Sequence, residues 1–234
     1  MPTFPPFPKP SSLEAARRLQ EALAARVVLE GDPRGVRFVG ALDASVRRGE
    51  DLVAAAVLWD LEAGDVLEVG LARVPAGAVF PYVPGFLSFR EAPVYLEALA
   101  CLSRGPDLLL VDGQGIAHPR GLGIAAHLGV HLDLPSVGVA KSRLCGAPQG
   151  ALALEKGSAV PLVDGARQIG WVYRSRTGVK PLYVSPGHRV GMREALEFVR
   201  GLPGRTRLPE PLRTAHLWAG RARREGVVGR VVLG

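Results

Sequence analysis

Two aspartates stand where apolar runs end. Asp43 closes Gly40-Ala41-Leu42, and Asp112 follows Leu108-Leu109-Leu110-Val111. An acid placed directly after an aliphatic run falls at the carboxyl rim of a strand, where open α/β sheets bind ligands. Asp-Gly is also a common turn pair, and either aspartate taken singly reads better as a turn residue. Glu91 is a third acid, and its plainer reading is a helix-capping role. Three carboxylates from separate elements can converge on Mg²⁺, which takes oxygen ligands and keeps several waters. An ion so held activates water and stabilises the leaving oxygen of a phosphodiester. The spacing permits this convergence without requiring it.

The stretch Phe80-Pro81-Tyr82-Val83-Pro84-Gly85-Phe86-Leu87-Ser88-Phe89-Arg90-Glu91 is the most unusual in the chain. Two prolines around an aromatic stiffen a loop and present Tyr82 outward. A rigid exposed aromatic can wedge between bases and fill the gap that an extruded nucleotide leaves. A core aromatic beneath a proline-rich loop is the commoner arrangement. Gly121-Leu122-Gly123-Ile124-Ala125-Ala126 matches the dinucleotide fingerprint, but Pro119 and Arg120 precede it in place of a strand. No acid ends the next strand either, so a nicotinamide-binding reading fails. These glycines instead permit close backbone packing at a helix start.

The elements that must position these residues follow from periodicity. Residues 1–10 are proline-rich and extended. Ser11-x-x-Glu14 forms a capping box for an amphipathic helix reaching about Val28. Three strand-like runs, Val36–Ala44, Leu52–Trp59 and Val66–Val74, are separated by turns over Arg47–Asp51 and Glu62–Asp65, which suggests an antiparallel meander. A helix ends near Ser103, and its start is open. Ser88-x-x-Glu91 reads as a capping box, whereas Pro93 prefers the first helical position, and both versions put Glu91 at the helix entrance.

Asp107–Val111 reads as a buried parallel strand and Gly121–Gly129 as a helix. Ser136–Ala140 is a short strand that delivers Lys141. Gln168–Tyr173 and Pro181–Val184 are strands of an edge structure, and helices over Met192–Gly201 and Pro211–Arg223 close the chain. This order is that of an α/β protein, a mixed sheet flanked by helices as in ribonuclease-H-like folds.

At 234 residues the chain fits one domain able to bury a full core. Its net charge of +7 favours a polyanionic partner. Eight arginines against Glu210 and Glu225 lie between Arg200 and Gly234, and residues 224–234 read as a flexible basic tail. Cys101 and Cys145 lack metal or redox spacing and read as free thiols of a reducing compartment. Neither a signal peptide nor a membrane span is expected, and the expected location is cytoplasmic.

The chain resembles the endonuclease V family, inosine-specific nucleases with a ribonuclease-H-like fold. The resemblance rests on Pro-Tyr-Val-Pro-Gly (81–85) running into Phe-Arg-Glu (89–91), and on Val-Asp-Gly-Gln-Gly-Ile-Ala-His-Pro-Arg (111–120). Gly-Val-Ala-Lys-Ser-Arg-Leu (138–144), Ser-Pro-Gly-His-Arg (185–189) and Leu-Pro-Glu-Pro-Leu-Arg-Thr-Ala-His (208–216) follow in family order. It implies that Asp43 and Asp112 bind Mg²⁺, for which Mn²⁺ can substitute. It implies that Glu91 and His216 complete the catalytic cluster, that Lys141 approaches the scissile phosphate, and that Tyr82 is the wedge. Pro81 and Pro84 would bind substrate with Tyr82 in the wedge loop, and the backbone around Gly85, Leu87 and Gly113 would line the pocket for the flipped base.

The implied activity is cleavage at the second phosphodiester 3′ to a deaminated base, initiating repair. The implied partner is deoxyinosine-containing DNA, with inosine-containing RNA as a second substrate; a monomer is taken as the default state. A basic nucleic-acid-binding protein without cleavage activity is the alternative. His118 matches a family block and receives no role, while His127, His131 and His188 read as structural.

Overall fold

A computed structural model describes residues 2–47 and 49–233. The opening residues 2–10 form no helix or strand. Helix α1 (Leu13–Ala24) is capped by Ser12, whose hydroxyl accepts from the Ala15 N–H at 3.1 Å, one residue beyond the expected Ser11. It stops four residues short of Val28. The Val28 N–H donates to His188 Nδ1 and its carbonyl accepts from the Arg189 N–H, so that backbone is committed elsewhere.

The expected meander forms from β1 (Phe38–Ser45), β2 (Leu52–Asp60) and β3 (Asp65–Val74), paired antiparallel. The turn expected over Arg47–Asp51 includes Arg48, which lies outside the described residues. A 3₁₀ turn, Ala76–Ala78, leads to α2 (Leu87–Ala100). Neither expected start for that helix holds. Ser88 is already inside it, and its hydroxyl is paired with His127 Nδ1 at 2.9 Å, so it caps nothing. Pro93 is internal as well, and Glu91 sits in the second turn, not at the entrance.

Next come β4 (Leu108–Val111), α3 (Ile124–Leu132) and β5 (Ser136–Ala140). Strand β4 pairs parallel with both β1 and β5. A two-residue β6 (Ala147–Pro148), β7 (Ala159–Asp164), β8 (Arg167–Tyr173) and β9 (Leu182–His188) extend the sheet antiparallel beyond β5. Of the strands expected at this edge, β9 is interior because it zips onto β5.

Helices α4 (Met192–Gly201) and α5 (Glu210–Glu225) follow. The last element, β10 (Gly229–Val232), pairs with β3. Among the described residues, one mixed sheet runs β10-β3-β2-β1-β4-β5-β9-β8-β7-β6. Its two faces bury separate apolar cores: Val39, Ala41 and Leu110 pack toward α4 and α5, and Leu42, Leu109 and Val111 toward α2 and α3.

The flexible tail expected over 224–234 is corrected by α5 and β10, Gly234 lying outside the described residues. Gly226 closes α5 in the left-handed conformation at φ 72° and turns the chain back. β3 offers an unpaired edge there, which β10 satisfies. The arginine cluster is also largely engaged. Arg223 donates to Ser45 Oγ at 2.7 Å and to Glu50 at 2.6 Å. Arg213 pairs with Glu210, Arg221 with Glu225 and Arg230 with Glu68. Both cysteines are free thiols. Among the described residues no helix is long and apolar enough to cross a membrane.

Candidate active site

Parallel pairing of β1 and β4 places Leu42 opposite Val111, so the residues that follow them, Asp43 and Asp112, emerge side by side. The Asp112 N–H donates to the Leu42 carbonyl at 2.9 Å, which locks that register at the rim. Strand alternation puts Asp43 on the face of Ala41, toward α5. That helix packs on β1 and β2 and carries His216, whose Nδ1 lies 2.6 Å from Asp43 Oδ2. The other carboxylate oxygen of Asp43 accepts from the Ala44 N–H at 2.8 Å. Lys141, delivered by β5, forms an ion pair with Asp112.

Asp43, Asp112 and His216 each offer one donor atom, and these atoms lie within 4.8 Å of one another. Asp43 is buried, and its carboxyl is raised to about 6, by burial first and by the Asp112 charge second, against the opposing pull of Lys141 and His216. Glu91 is raised further, to about 8, by burial and then by Asp43 and Asp112, with Arg90 opposing. It belongs outside the three-residue group yet within range of its charge. Crowded carboxylates that repel one another are the donor chemistry a divalent cation neutralises, so these residues fit such an ion.

Beside this group opens a cavity of about 150 Å³. Its wall includes Tyr82, Val83, Pro84, Gly85, Leu87 and Ser88 from the proline-rich loop and the start of α2. Gln114, His118, Leu122, Gly123, Ile124 and Leu144 complete it. Asp112 and Gln114 are two residues apart in the chain, which brings the acidic group near the cavity, although Asp43, Asp112 and His216 do not line it. Tyr82 is 69% exposed, as the flanking prolines suggested. Of the expected substrate contacts, Tyr82, Pro84, Gly85 and Leu87 line the cavity. Pro81 faces a different one, beside Phe80 and Phe89. Gly113 is absent from the wall and lies behind it, where a Cβ would meet Ile124 at 2.5 Å.

Sequence reasoning missed Gln114, whose buried Nε2 donates to the Ser142 carbonyl at 2.9 Å while its Oε1 has no partner among the described residues. It missed Leu144 as well, an exposed apolar residue that lines the same cavity as Tyr82. The position of Gln114, two residues past the strand-end acid, was the one available signal. Gly121 and Gly123 serve packing: a Cβ on Gly123 would lie 2.4 Å from the Gln114 carbonyl oxygen.

The remaining histidines are tied down. Fully buried His127 is held well below its usual range, to about 3, by burial, and lies 4.5 Å from the Phe7 ring. His131 Nε2 lies 3.0 Å from the Pro5 carbonyl, and His188 joins Val28 to Asp133. His118 is lowered to about 4 by burial and by Arg120, and Nε2 of its neutral ring donates to the Gly85 carbonyl at 3.1 Å. A larger cavity of about 760 Å³ lies at the far end of β1, around Val36, Trp59 and Phe198, and holds none of the candidate residues.

Known proteins share this arrangement's scaffold. A family profile described as Endonuclease V matches residues 21–217. Endonuclease V of Thermus thermophilus is 68% identical over 220 residues, covering 93% of this chain and 96% of the relative. The crystal structure of endonuclease V from Streptomyces avermitilis superposes with a TM-score of 0.86 at 39% identity, covering 96% of this chain and 99% of that one. Ciona intestinalis endonuclease V, crystallised with a 24mer DNA containing an inosine followed by a ribo-adenosine, superposes at 0.75 with 25% identity, covering 90% and 97%. With a profile matched across most of its length and relatives this similar end to end, the chain belongs to the endonuclease V family and is an endonuclease.

Proposed function

We propose that this endonuclease recognises deaminated bases in DNA, inosine foremost, and cuts the second phosphodiester 3′ to the lesion with Mg²⁺ as its ion. The observation that carries this reading is the convergence of Asp43, Asp112 and His216 beside a cavity rimmed by exposed Tyr82. A relative of the same fold binds inosine-containing DNA, which supports the substrate class. Asp43, Asp112 and His216 would hold the cation, which when bound neutralises phosphate charge and activates water.

The chain's own residues do the rest. Lys141 presents a cationic ammonium beside Asp112, suited to a phosphate oxygen of the backbone. Glu91, raised to about 8 by burial first and by Asp43 and Asp112 after it, holds a proton at neutral pH within range of the acidic group, a position suited to proton transfer. Tyr82 wedges into the stack, and the cavity wall takes the extruded base. Hypoxanthine carries an oxygen acceptor and an N1 donor where adenine carries an amine and a bare nitrogen. Its weaker pairing lowers the cost of extrusion.

The test is nicking of a duplex carrying one deoxyinosine, in Mg²⁺, in Mn²⁺ and in EDTA, with the product end mapped. A single nick directly after the lesion's 3′ neighbour, in either metal and not in EDTA, is expected. Nicking in EDTA, or equal nicking of an adenine control, overturns the reading.

A further inference from the structure

Gly85 closes the tyrosine-bearing loop with φ at +80°, and its carbonyl is the most heavily bonded acceptor at the cavity. Gln20 Nε2 donates to it at 3.0 Å, Arg120 Nη2 at 2.5 Å and His118 Nε2 at 3.1 Å. These donors bind one another as well. Arg120 Nε donates to Gln20 Oε1 at 2.6 Å, and the Arg120 backbone N–H donates to His118 Nδ1 at 3.2 Å. The Arg120 guanidinium also lies 4.4 Å over the Phe86 ring.

The network ties three parts of the chain: α1, the 81–86 loop, and the loop after β4. Gln20 is 1% exposed, so its amide is desolvated at both ends and satisfied at both by this network alone. Neither Gln20 nor Arg120 touches the acidic group, and nothing in the chemistry of phosphodiester cleavage uses them. The wedge loop itself lacks repetitive structure between Val79 and Phe86. A loop of that kind holds a side chain in place only as well as its anchors do.

We propose that Gln20 and Arg120, with His118, are positioning residues for base recognition: their convergence on the Gly85 carbonyl holds the Tyr82 rim at a fixed distance from the wall carrying Gln114. The inference rests on the proposed recognition of an extruded deaminated base. Rigid anchoring separates lesion from normal base because a displaced wall still admits either, whereas a fixed one rejects the misfit. It leaves the chemical step alone, since Asp43, Asp112 and His216 hang from β1, β4 and α5.

The experiment compares wild type with Q20M, which keeps volume and removes both bonds, and with R120K, which keeps charge and can bind one partner but not both. Steady-state nicking of deoxyinosine duplex gives kcat and KM. Fluorescence of 2-aminopurine beside the lesion, in EDTA, reports unstacking without turnover. Q20M should raise KM by about 10-fold with kcat within about twofold, a size expected when a net hydrogen bond's worth of recognition is lost. R120K should fall between Q20M and wild type, and both variants should need more protein for the same fluorescence change. A lower kcat at unchanged KM, or a lower melting temperature with both constants and the fluorescence titration unchanged, overturns the proposal. Should Q20M fail to fold, R120K carries the same test with the same two outcomes. Failure of the wild-type protein to nick the inosine duplex at all would remove the recognition reading itself, which is a separate result.

Discussion

Asp43 and His216 meet at 2.6 Å across 173 residues of chain, one near the end of β1 and the other on the second turn of α5. Removing either partner leaves the other facing the acidic group alone. His216→Ala should reduce nicking by roughly 10²- to 10⁴-fold, the range for loss of a positioned proton-transfer or ligand group. Single-turnover rates with saturating protein check this. A loss of only a few-fold would separate His216 from the reacting centre.

Asp112 makes a sharper case. Asp112→Ala should abolish nicking, by at least about 10³-fold, while gel-shift binding to an inosine duplex persists, because a bound cation supplies several kcal/mol to the transition state. Turnover at the wild-type rate would exclude Asp112 from the site.

Tyr82 is exposed on a rim and packs against little. Tyr82→Ala should weaken inosine duplex binding more than plain duplex binding, by a few-fold to about 10-fold, the worth of one stacked base. Equal losses on both duplexes would make it an ordinary surface residue.

Burial and the two aspartates lift Glu91 from 4.5 to about 8, and burial lifts Asp43 from 3.8 to about 6. Both folded-state values lie above the unfolded ones, so the folded metal-free protein binds more protons in the intervening window. Its stability therefore falls as pH rises from about 4.5 to about 8. Glu91→Gln should flatten that decline, as melting temperatures in EDTA across the window would show. A wild-type protein that gains stability more steeply than the variant over this range would contradict the assignment. Cation binding, which requires the ionised carboxylates, should release protons and strengthen with pH in the same window.

Arg223 clamps α5 to the turn after β1 through Ser45 and Glu50. Arg223→Met should cost about 2–3 kcal/mol in urea unfolding, as charged hydrogen bonds to a partly buried guanidinium do. The salt dependence of DNA binding should stay unchanged. A flattened salt slope with unaltered stability would restore the picture of a basic tail on phosphate.

Much of this protein is legible without coordinates. Ser136–Ala140 and Met192–Gly201 were bounded correctly, because apolar runs and helical periodicity are local properties of the chain. Asp43 and Asp112 stood out because each ends such a run. What the sequence could not supply was adjacency. That β1 lies beside β4, which brings these two acids together, depends on a crossover through β2, β3 and α2. The failed cap at Ser88 has the same origin, since a histidine 39 residues later takes its hydroxyl. The supposed tail became β10 because β3 presented an open edge. Residue type and spacing state which groups are available to bond. Which of them do bond was decided by packing between segments far apart in the chain, since each buried polar atom takes the partner that the fold brings within reach.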